Sequence, residues 1–216
     1  MGAEVPKQHL VLRGRSVLDH AIAALLGQAA VRAVVVAVAP GDERWRESAH
    51  AADARVRWIA GGAERCHSVA NALDALSGEA AADDWVLVHD AARPCLRPDD
   101  LARLVATLAG HAVGGVLGVP VRDTMKRCAD DGTVLATVDR AGLWHAQTPQ
   151  MFRYAALRAA LAAAIAGGVL VTDESAAIER AGLAPQLVEG SSGNIKVTRP
   201  EDLALAEFLL GRAPGD

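Results

Sequence analysis

One carboxylate, Asp90, stands just beyond a hydrophobic run in the segment WVLVHDAARP. An acid at the end of a buried strand meets solvent where the ligand crevice of an α/β sheet opens, and it can hold Mg²⁺. The alternative is a helix cap, but the next helix is predicted near Pro98, too far along the chain for local capping. Arg93 follows three residues later and can pair with Asp90 or contact an anion; the sequence leaves both open.

The segment GGAERCHS carries adjacent glycines followed by a serine at the start of a predicted helix. This arrangement exposes backbone N–H groups to an anion or a base. A tight turn with Ser68 as a simple N-cap explains the same pattern, so the segment alone does not establish a binding loop.

Lys196, in NIKVTRPEDL, is predicted at the centre of a short strand, where lysine is unfavourable unless it reaches a partner. It can reach an anionic ligand, or it can protect an edge strand from aggregation. Lys7, in VPKQ, is by composition alone a solvated lysine. No Ser/His/Asp or Cys/His arrangement typical of nucleophilic catalysis stands out.

Alternating helices and strands must position these residues. Helical periodicity begins after Ser16, whose spacing to Asp19 is that of a capping pair, and Thr198 and Glu201 have the spacing of a second capping box. We predict helices at 17–28, 69–76, 98–110, 154–166, 174–181 and 200–210, and strands at 31–38, 56–59, 85–88 and 113–121. This alternation predicts a three-layer α/β/α, Rossmann-like fold with a mainly parallel sheet and a ligand site at the carboxyl ends of its strands.

The pattern changes between residues 122 and 150, where a turn at Asp130–Gly132 separates two short strand-like stretches. This predicts a hairpin that projects from the sheet as an arm and favours dimerisation. No repeat or linker divides the chain, so we predict one domain over residues 1–216, with the arm inside it.

Bulk composition excludes several classes of protein. The net charge is −4 and no long basic run is present, which argues against a nucleic-acid partner. The longest uncharged apolar run, Ala159–Val171, is shorter than the roughly 18 residues of a membrane span. Three cysteines at unrelated spacings indicate a reducing cytoplasm rather than a disulfide framework or metal site.

Seven motifs together resemble the ordered motif set of the 2-C-methyl-D-erythritol 4-phosphate cytidylyltransferases. They are PKQ, GG.ER..SV, VHDAARP, PVRDTMK, TVDR.GLW.AQTPQ, TDE and IKVTRPEDL, and they span nearly the whole chain. The resemblance implies a nucleotidyltransferase that couples CTP to 2-C-methyl-D-erythritol 4-phosphate, releases pyrophosphate and uses Mg²⁺, in isoprenoid precursor biosynthesis.

The resemblance also implies roles for individual residues. It assigns Lys7 to the CTP phosphates, Asp90 and the adjacent Ala91 to the nucleotide, with Asp90 on the metal, and Gly62 with Ser68 to the cytosine ring. Ala63 stands where family members often carry Asp, so any contact there must come from the backbone.

The same resemblance implies that residues from two subunits bind the acceptor phosphate. Thr124 and Arg140 reach it from the partner's arm, Lys196 contacts it within the subunit, and Thr148 adds a hydroxyl donor. Lys7 and Lys196 are thus the catalytic cations, Arg93 supports Asp90, and the active site spans a homodimer.

The sequence departs from the family's pattern at its start, because the family opens with a hydrophobic strand and a glycine-rich phosphate loop of which only Met1 and Gly2 match. We therefore expect Met1 to be an internal methionine, with the natural start about twenty or more residues upstream, and a gap in the sheet beside the AVVVAV strand. A chain lacking that loop should bind CTP poorly.

Two other functions fit the same motifs. A sister enzyme that uses ribitol 5-phosphate would share the CTP motifs and differ in its acceptor contacts. A dimeric binding protein without catalytic activity would keep the fold and the arm if the short N-terminus is genuine.

Overall fold

The computed structural model describes residues 5–211, so Met1 and Gly2, on which the expected upstream extension depends, lie outside the described residues. Its α-helices are α1 Val17–Leu26, α2 Arg65–Asp74, α3 Pro98–Leu108, α4 Tyr154–Ala166, α5 Glu174–Arg180 and α6 Pro200–Leu210. Its strands are β1 Val11–Leu12, β2 Arg15–Ser16, β3 Val34–Val38, β4 Val56–Ala60, β5 Trp85–Val88, β6 Gly114–Pro120, β7 Met125–Cys128, β8 Val134–Val138, β9 Trp144–Arg153 and β10 Gln186–Glu189.

The central sheet has the strand order β10-β6-β9-β5. Strand β10 runs parallel to β6, whereas β9 runs antiparallel to both β6 and β5. Strands β10, β6 and β5 therefore share one direction and β9 alone is reversed, which gives a mixed sheet in an α/β fold. The predicted arm is the β7–β8 hairpin, but residues 144–150, which the sequence placed in the arm, begin the long strand β9 inside the sheet.

Successive side chains of β6 and β9 build the hydrophobic core on both faces of the sheet. On one face Val116 and Phe152 pack with Leu157 of α4 and Ile178 of α5. On the other face, the neighbouring residues of both strands pack against α3 in a cluster containing Leu117, Met151, Leu101, Leu104 and Leu108. The helices thus cover both faces and complete the three layers.

Strands β3 and β4 form a separate parallel pair. Within residues 5–211, β3 pairs with β4 and β5 pairs with β9, and no strand bridges β3 to β5. A cavity of about 790 Å³ lies between them, lined by Val34–Ala37 and Trp85–Val88. It continues past the carboxyl end of β5, where the candidate polar residues are found.

The two predicted capping boxes have different outcomes. Ser16 and Asp19 form the expected box at α1, with Asp19 N–H donating to Ser16 Oγ over 3.0 Å and Ser16 N–H donating to Asp19 Oδ2 over 3.2 Å. At α6 the acid is Asp202 instead of Glu201, because Asp202 Oδ2 accepts hydrogen bonds from the Thr198 hydroxyl and from the N–H groups of Thr198 and Arg199.

In the described part of the chain, no helix is both long and apolar enough to cross a bilayer.

Gly114 opens β6 at a point where a side chain has no room. Its φ is +120°, and a Cβ there would lie 2.2 Å from the carbonyl oxygen of Met151. Gly132, at the tip of the arm, also has a positive φ, +86°, but a Cβ there would meet nothing within 4 Å.

We therefore expect Gly114→Ala to lower the free energy of unfolding by ~3 kcal/mol or more, and Gly132→Ala by only ~1–2 kcal/mol from backbone strain. Urea unfolding of both variants measures the difference. Equal losses would show that the contact with Met151 relaxes without cost.

Candidate functional site

The candidate site lies on the loop that follows β5, where the cavity between β3 and β5 becomes polar. Side chains from distant parts of the chain line this end of it: Lys7, Gln8, Arg65, Ser68, Asp90 and Lys196. The structure thus brings Lys7, Asp90 and Lys196, the three charged residues predicted to bind nucleotide or phosphate within one subunit, to a single cavity.

Three cations surround the Asp90 carboxylate, whose side chain is only 11% exposed. Arg65 Nε donates to Oδ1 over 3.1 Å. On the other side, Lys196 Nζ lies 3.0 Å and Arg93 Nε 3.5 Å from Oδ2. Of the two readings left open for Arg93, the ion pair with Asp90 is therefore present.

The cations keep Asp90 ionised. Burial by itself would raise the pKa of Asp90, but the charge of Arg65 and the hydrogen bond from Lys196 lower it to about 2. The cavity therefore presents a carboxylate at any physiological pH, with cations on both of its oxygens.

Glu174, at the first position of α5, belongs to the same cluster and pairs with Arg65. Its side chain is 1% exposed, and it accepts two hydrogen bonds from Arg65, from Nη1 over 2.6 Å and from Nη2 over 3.0 Å. Burial raises the pKa of Glu174 and Arg65 opposes that rise. No role was predicted from sequence for Arg65 or Glu174, although they stand in the motifs GG.ER..SV and TDE.

A buried hydrogen-bond chain fixes the loop that carries Asp90. Nε2 of His89 lies 3.1 Å from the carbonyl oxygen of Arg93, which can only accept, so this nitrogen carries the proton. Nδ1 then accepts from the Thr148 hydroxyl over 2.9 Å, and Thr148 Oγ1 accepts from Asp90 N–H over 3.0 Å.

Thr148 therefore differs from the expectation that its hydroxyl is a donor for a phosphate. It is 4% exposed and already donates its hydrogen to His89. It lies in an irregular part of β9, where Gln147, Thr148 and Pro149 stand between the pairs Gly118–Ala146 and Val116–Gln150. Such bulges re-aim side chains beside active sites.

Ser68 is not the N-cap that one reading of GGAERCHS predicted. Helix α2 begins at Arg65 with Glu64 as its N-cap, which places Ser68 in the first turn. Ser68 Oγ accepts the N–H of Gly62 over 3.0 Å and donates to the carbonyl oxygen of Glu64 over 3.2 Å. A Cβ at Gly62 would lie 2.3 Å from Cβ of His67, so the loop needs glycine there.

Lys196 is not in a strand, contrary to the sequence prediction. Residues 194–198 are irregular, because they are held by isolated hydrogen bonds instead of a ladder. Arg93 Nη1 donates to the carbonyl oxygen of Asn194 over 2.7 Å, and Val197 N–H donates to that of Ala92 over 2.8 Å. These bonds bring the segment alongside the loop after β5.

Thr124 and Arg140 lie apart from this cluster, on the arm. Both are exposed, Thr124 just before β7 and Arg140 just after β8, and Arg140 donates to the carbonyl oxygen of Arg122. Neither lines the cavity within the subunit.

Asp90 is the only carboxylate predicted here to hold a metal. Over residues 5–211 no group of three or more His, Cys, Asp or Glu side chains could bind an ion by itself. An ionised carboxylate such as that of Asp90 is the kind of oxygen ligand that Mg²⁺ prefers.

Comparison with known proteins gives a consistent result. The family model of 2-C-methyl-D-erythritol 4-phosphate cytidylyltransferase (IspD) matches residues 1–212. The chain is 54% identical to the enzyme of that name from Pseudomonas putida, over 100% of this chain and 91% of the relative. Its fold is similar to a crystal structure of 4-diphosphocytidyl-2C-methyl-D-erythritol synthase, with a TM-score of 0.87, 41% identity and 95% of each chain covered. The Francisella tularensis cytidylyltransferase gives a TM-score of 0.86 at 33% identity, with 95% and 94% covered.

The buried His89 generates a prediction about stability. Burial lowers its pKa to about 4, against 6.5 for a histidine in an unfolded chain. Between these values the unfolded state binds the proton and the folded state does not. The contribution of the neutral His89 to the free energy of unfolding is therefore fully present above pH 6.5 and is lost as the pH falls toward 4.

We expect His89 to contribute a loss of ~3 kcal/mol in the free energy of unfolding between pH 7 and pH 4. Denaturant unfolding across this range, on the native chain and on His89→Asn, measures it. The variant should be less stable at pH 7, but its free energy of unfolding should fall less on acidification. If the free energies of the two proteins fall in parallel with pH, His89 is not the group responsible.

Proposed function

This chain belongs to the 2-C-methyl-D-erythritol 4-phosphate cytidylyltransferase family, and on that premise we propose that CTP binds in the polar end of the cavity beside β5. The enzyme transfers CMP from CTP to 2-C-methyl-D-erythritol 4-phosphate in isoprenoid precursor biosynthesis. An oxygen of the acceptor phosphate bonds to the α-phosphorus as the bond to the β-phosphate oxygen breaks, and pyrophosphate leaves. The observation that carries the proposed site is the meeting of Arg65, Arg93 and Lys196 around Asp90, at the end of a cavity that Lys7 also lines.

The reaction needs two anions to approach each other, and no covalent enzyme intermediate is required. The protein must align the anions and stabilise the charge that grows on the α-phosphate and on the leaving group. We assign Lys7, on the wall of the cavity, to the triphosphate. A point charge on a flexible stem suits phosphate oxygens whose charge shifts during the reaction.

We assign the nucleoside end of CTP to the loop before α2 and to the start of the loop after β5. Ser68 lines the cavity, and its Oγ accepts the N–H of Gly62, which fixes the loop beside the place where we put the cytosine ring. Ala91 is exposed and lines the same cavity next to Asp90, which suits a contact with the ribose.

Asp90 would hold Mg²⁺ together with the phosphates of CTP. When bound, the ion neutralises phosphate charge and polarises the α-phosphate toward attack. Thr148 and His89 support this role through their hydrogen bonds, because these fix the backbone of the loop and hold Asp90 at the mouth of the cavity.

Lys196 is suited to the acceptor phosphate. Its ammonium pairs with Asp90 Oδ2, yet 40% of its side chain is exposed, so it can turn toward an incoming anion with little rearrangement. Arg140 would supply a guanidinium fork and Thr124 a hydroxyl to the same phosphate, and a fork with an ammonium binds a dianion from two directions.

Thr124 and Arg140 can act in this way if the arm belongs to a second subunit, and we therefore propose a homodimer. The β7–β8 hairpin forms its own two-stranded sheet, and Val134 and Leu135 of β8 are 57% and 62% exposed. An isolated hairpin is marginally stable in water, so an arm with exposed apolar side chains favours a partner.

We place the enzyme in the cytoplasm. Cys66 and Cys95 are buried free thiols, and Cys128 is an exposed one on the arm. An exposed free thiol suits a reducing compartment.

Replacement of Lys7 by alanine removes a cation from the triphosphate, and we expect kcat to fall about 10²–10³-fold, equivalent to ~2.7–4 kcal/mol. Pyrophosphate release from CTP, Mg²⁺ and methylerythritol phosphate measures it. Arg158→Ala, which removes an exposed cation paired with Asp74, should leave the rate unchanged. Near-normal turnover by Lys7→Ala would remove Lys7 from the mechanism. Ribitol 5-phosphate, supplied instead of the acceptor, should be a poor substrate.

The dimeric site predicts complementation between two inactive variants. Lys7→Ala and Arg140→Ala each damage every site of their own homodimers, but a mixed dimer contains one site with both residues intact. After subunit exchange at equal concentrations, random mixing restores about a quarter of the native number of sites. Pyrophosphate release from the mixture, compared with each variant alone, measures this. No gain over the separate variants would place Arg140 in the same subunit's site or outside the mechanism.

A further inference from the structure

Glu174 is the charged residue whose position the proposed reaction leaves unexplained. It is fully buried at the first position of α5 and faces Arg65 alone among the cations of the cluster. Burying an ion pair is costly, and a hydrophobic pair often stabilises a protein as well or better. The burial of Glu174 therefore points to something that Arg65 must do, beyond packing.

The hydrogen bonds of Arg65 show what Glu174 controls. Two N–H groups of the planar guanidinium, on Nη1 and Nη2, bind the two oxygens of Glu174, and this fixes the plane and rotation of the group. The Nε–H direction is then fixed too, and it meets Asp90 Oδ1 over 3.1 Å. A lysine could supply the charge but could not hold this direction.

The two oxygens of Asp90 are held differently as a result. Oδ1 is held by an arginine that is itself clamped. Oδ2 faces the exposed ammonium of Lys196 at 3.0 Å, with Arg93 Nε at 3.5 Å. Arg93 is nearly buried and held by its bond to the carbonyl oxygen of Asn194, but Lys196, which is 40% exposed, has the freedom to move away when a ligand arrives. Oδ2 is therefore the oxygen that can be presented to the cavity.

We propose that Glu174, acting through Arg65, is the positioning residue for Asp90, and that this pair sets which carboxylate oxygen meets the metal-bound nucleotide. The inference rests on the proposed role of Asp90. Glu174 itself touches neither substrate nor metal. Its contribution is to keep Asp90 Oδ1 occupied and Oδ2 directed outward.

The test compares CTP binding with Mg²⁺ and with EDTA, by titration calorimetry, in the native chain, Glu174→Gln and Arg65→Lys. We expect affinity in Mg²⁺ to fall about 10–100-fold in both variants, as for other changes behind a metal ligand. Affinity in EDTA should stay the same, because both variants keep a cation near the phosphates. Thermal melting of each variant verifies that it is folded during the titration, and Arg65→Lys, which keeps the buried charge pair, serves if Glu174→Gln does not fold.

Two further variants make the outcomes distinct. Asp74→Asn removes the partner of Arg158 near the last turn of α2 and should bind CTP as the native chain does. Asp90→Asn should lose the Mg²⁺-dependent gain entirely. If Asp90→Asn keeps that gain, the proposed role of Asp90 is wrong. The positioning role alone is overturned if Asp90→Asn loses the Mg²⁺-dependent gain in affinity while Glu174→Gln and Arg65→Lys keep it. It is also overturned if Glu174→Gln and Arg65→Lys lose affinity equally in Mg²⁺ and in EDTA.

Discussion

The arrangement of this site depends on one carboxylate that is nearly buried and yet stays ionised. Asp90 can remain charged there only because arginine and lysine side chains surround it, and each of these arrives on a different element. Arg65 comes from the start of α2, Arg93 from the loop after β5, and Lys196 from the segment before α6. Satisfying a single charge thus forces three separate parts of the chain to converge at the carboxyl end of β5, and the cavity is formed where they meet.

A second layer of contacts holds that convergence in place. Glu174 ties α5 to α2 through Arg65, and the His89–Thr148 chain ties the loop after β5 to β9. Arg93 reaches across to Asn194, whose side chain in turn donates to the carbonyl oxygen of Thr148 over 2.8 Å. These bonds are almost all inside the protein, where polar groups are costly to leave unpaired, so the second layer makes the geometry of the first hard to change.

Local sequence predicted the elements that local physics controls. Periodicity and Pro98 predicted α3, and the apolar run Trp85–Val88 predicted β5, because in both cases the signal lies within the element. Asp90 was found for the same reason, since its position after a strand can be read directly. By contrast, Lys196 was placed in a strand that does not form, because its surroundings depend on contacts with Ala92 and Arg93, about a hundred residues earlier in the chain. Glu174 and Thr148 depend likewise on distant partners, and the reversed direction of β9 is a property of strand pairing that no single segment encodes.

Strand β9 has a consequence for how this protein can change over evolutionary time. It starts at the base of the arm, lies between β6 and β5 in the central sheet and carries Thr148 at its irregular middle. Alternate residues of a strand point to opposite faces, so one inserted or deleted residue between Trp144 and Thr148 would exchange the side chains that pack on the two faces of the sheet. The turn at Asp130–Gly132 has no such coupling, because it is exposed and, within residues 5–211, the strands that flank it pair only with each other. Length variation among descendants of this chain should therefore accumulate at the tip of the arm and be absent from its base.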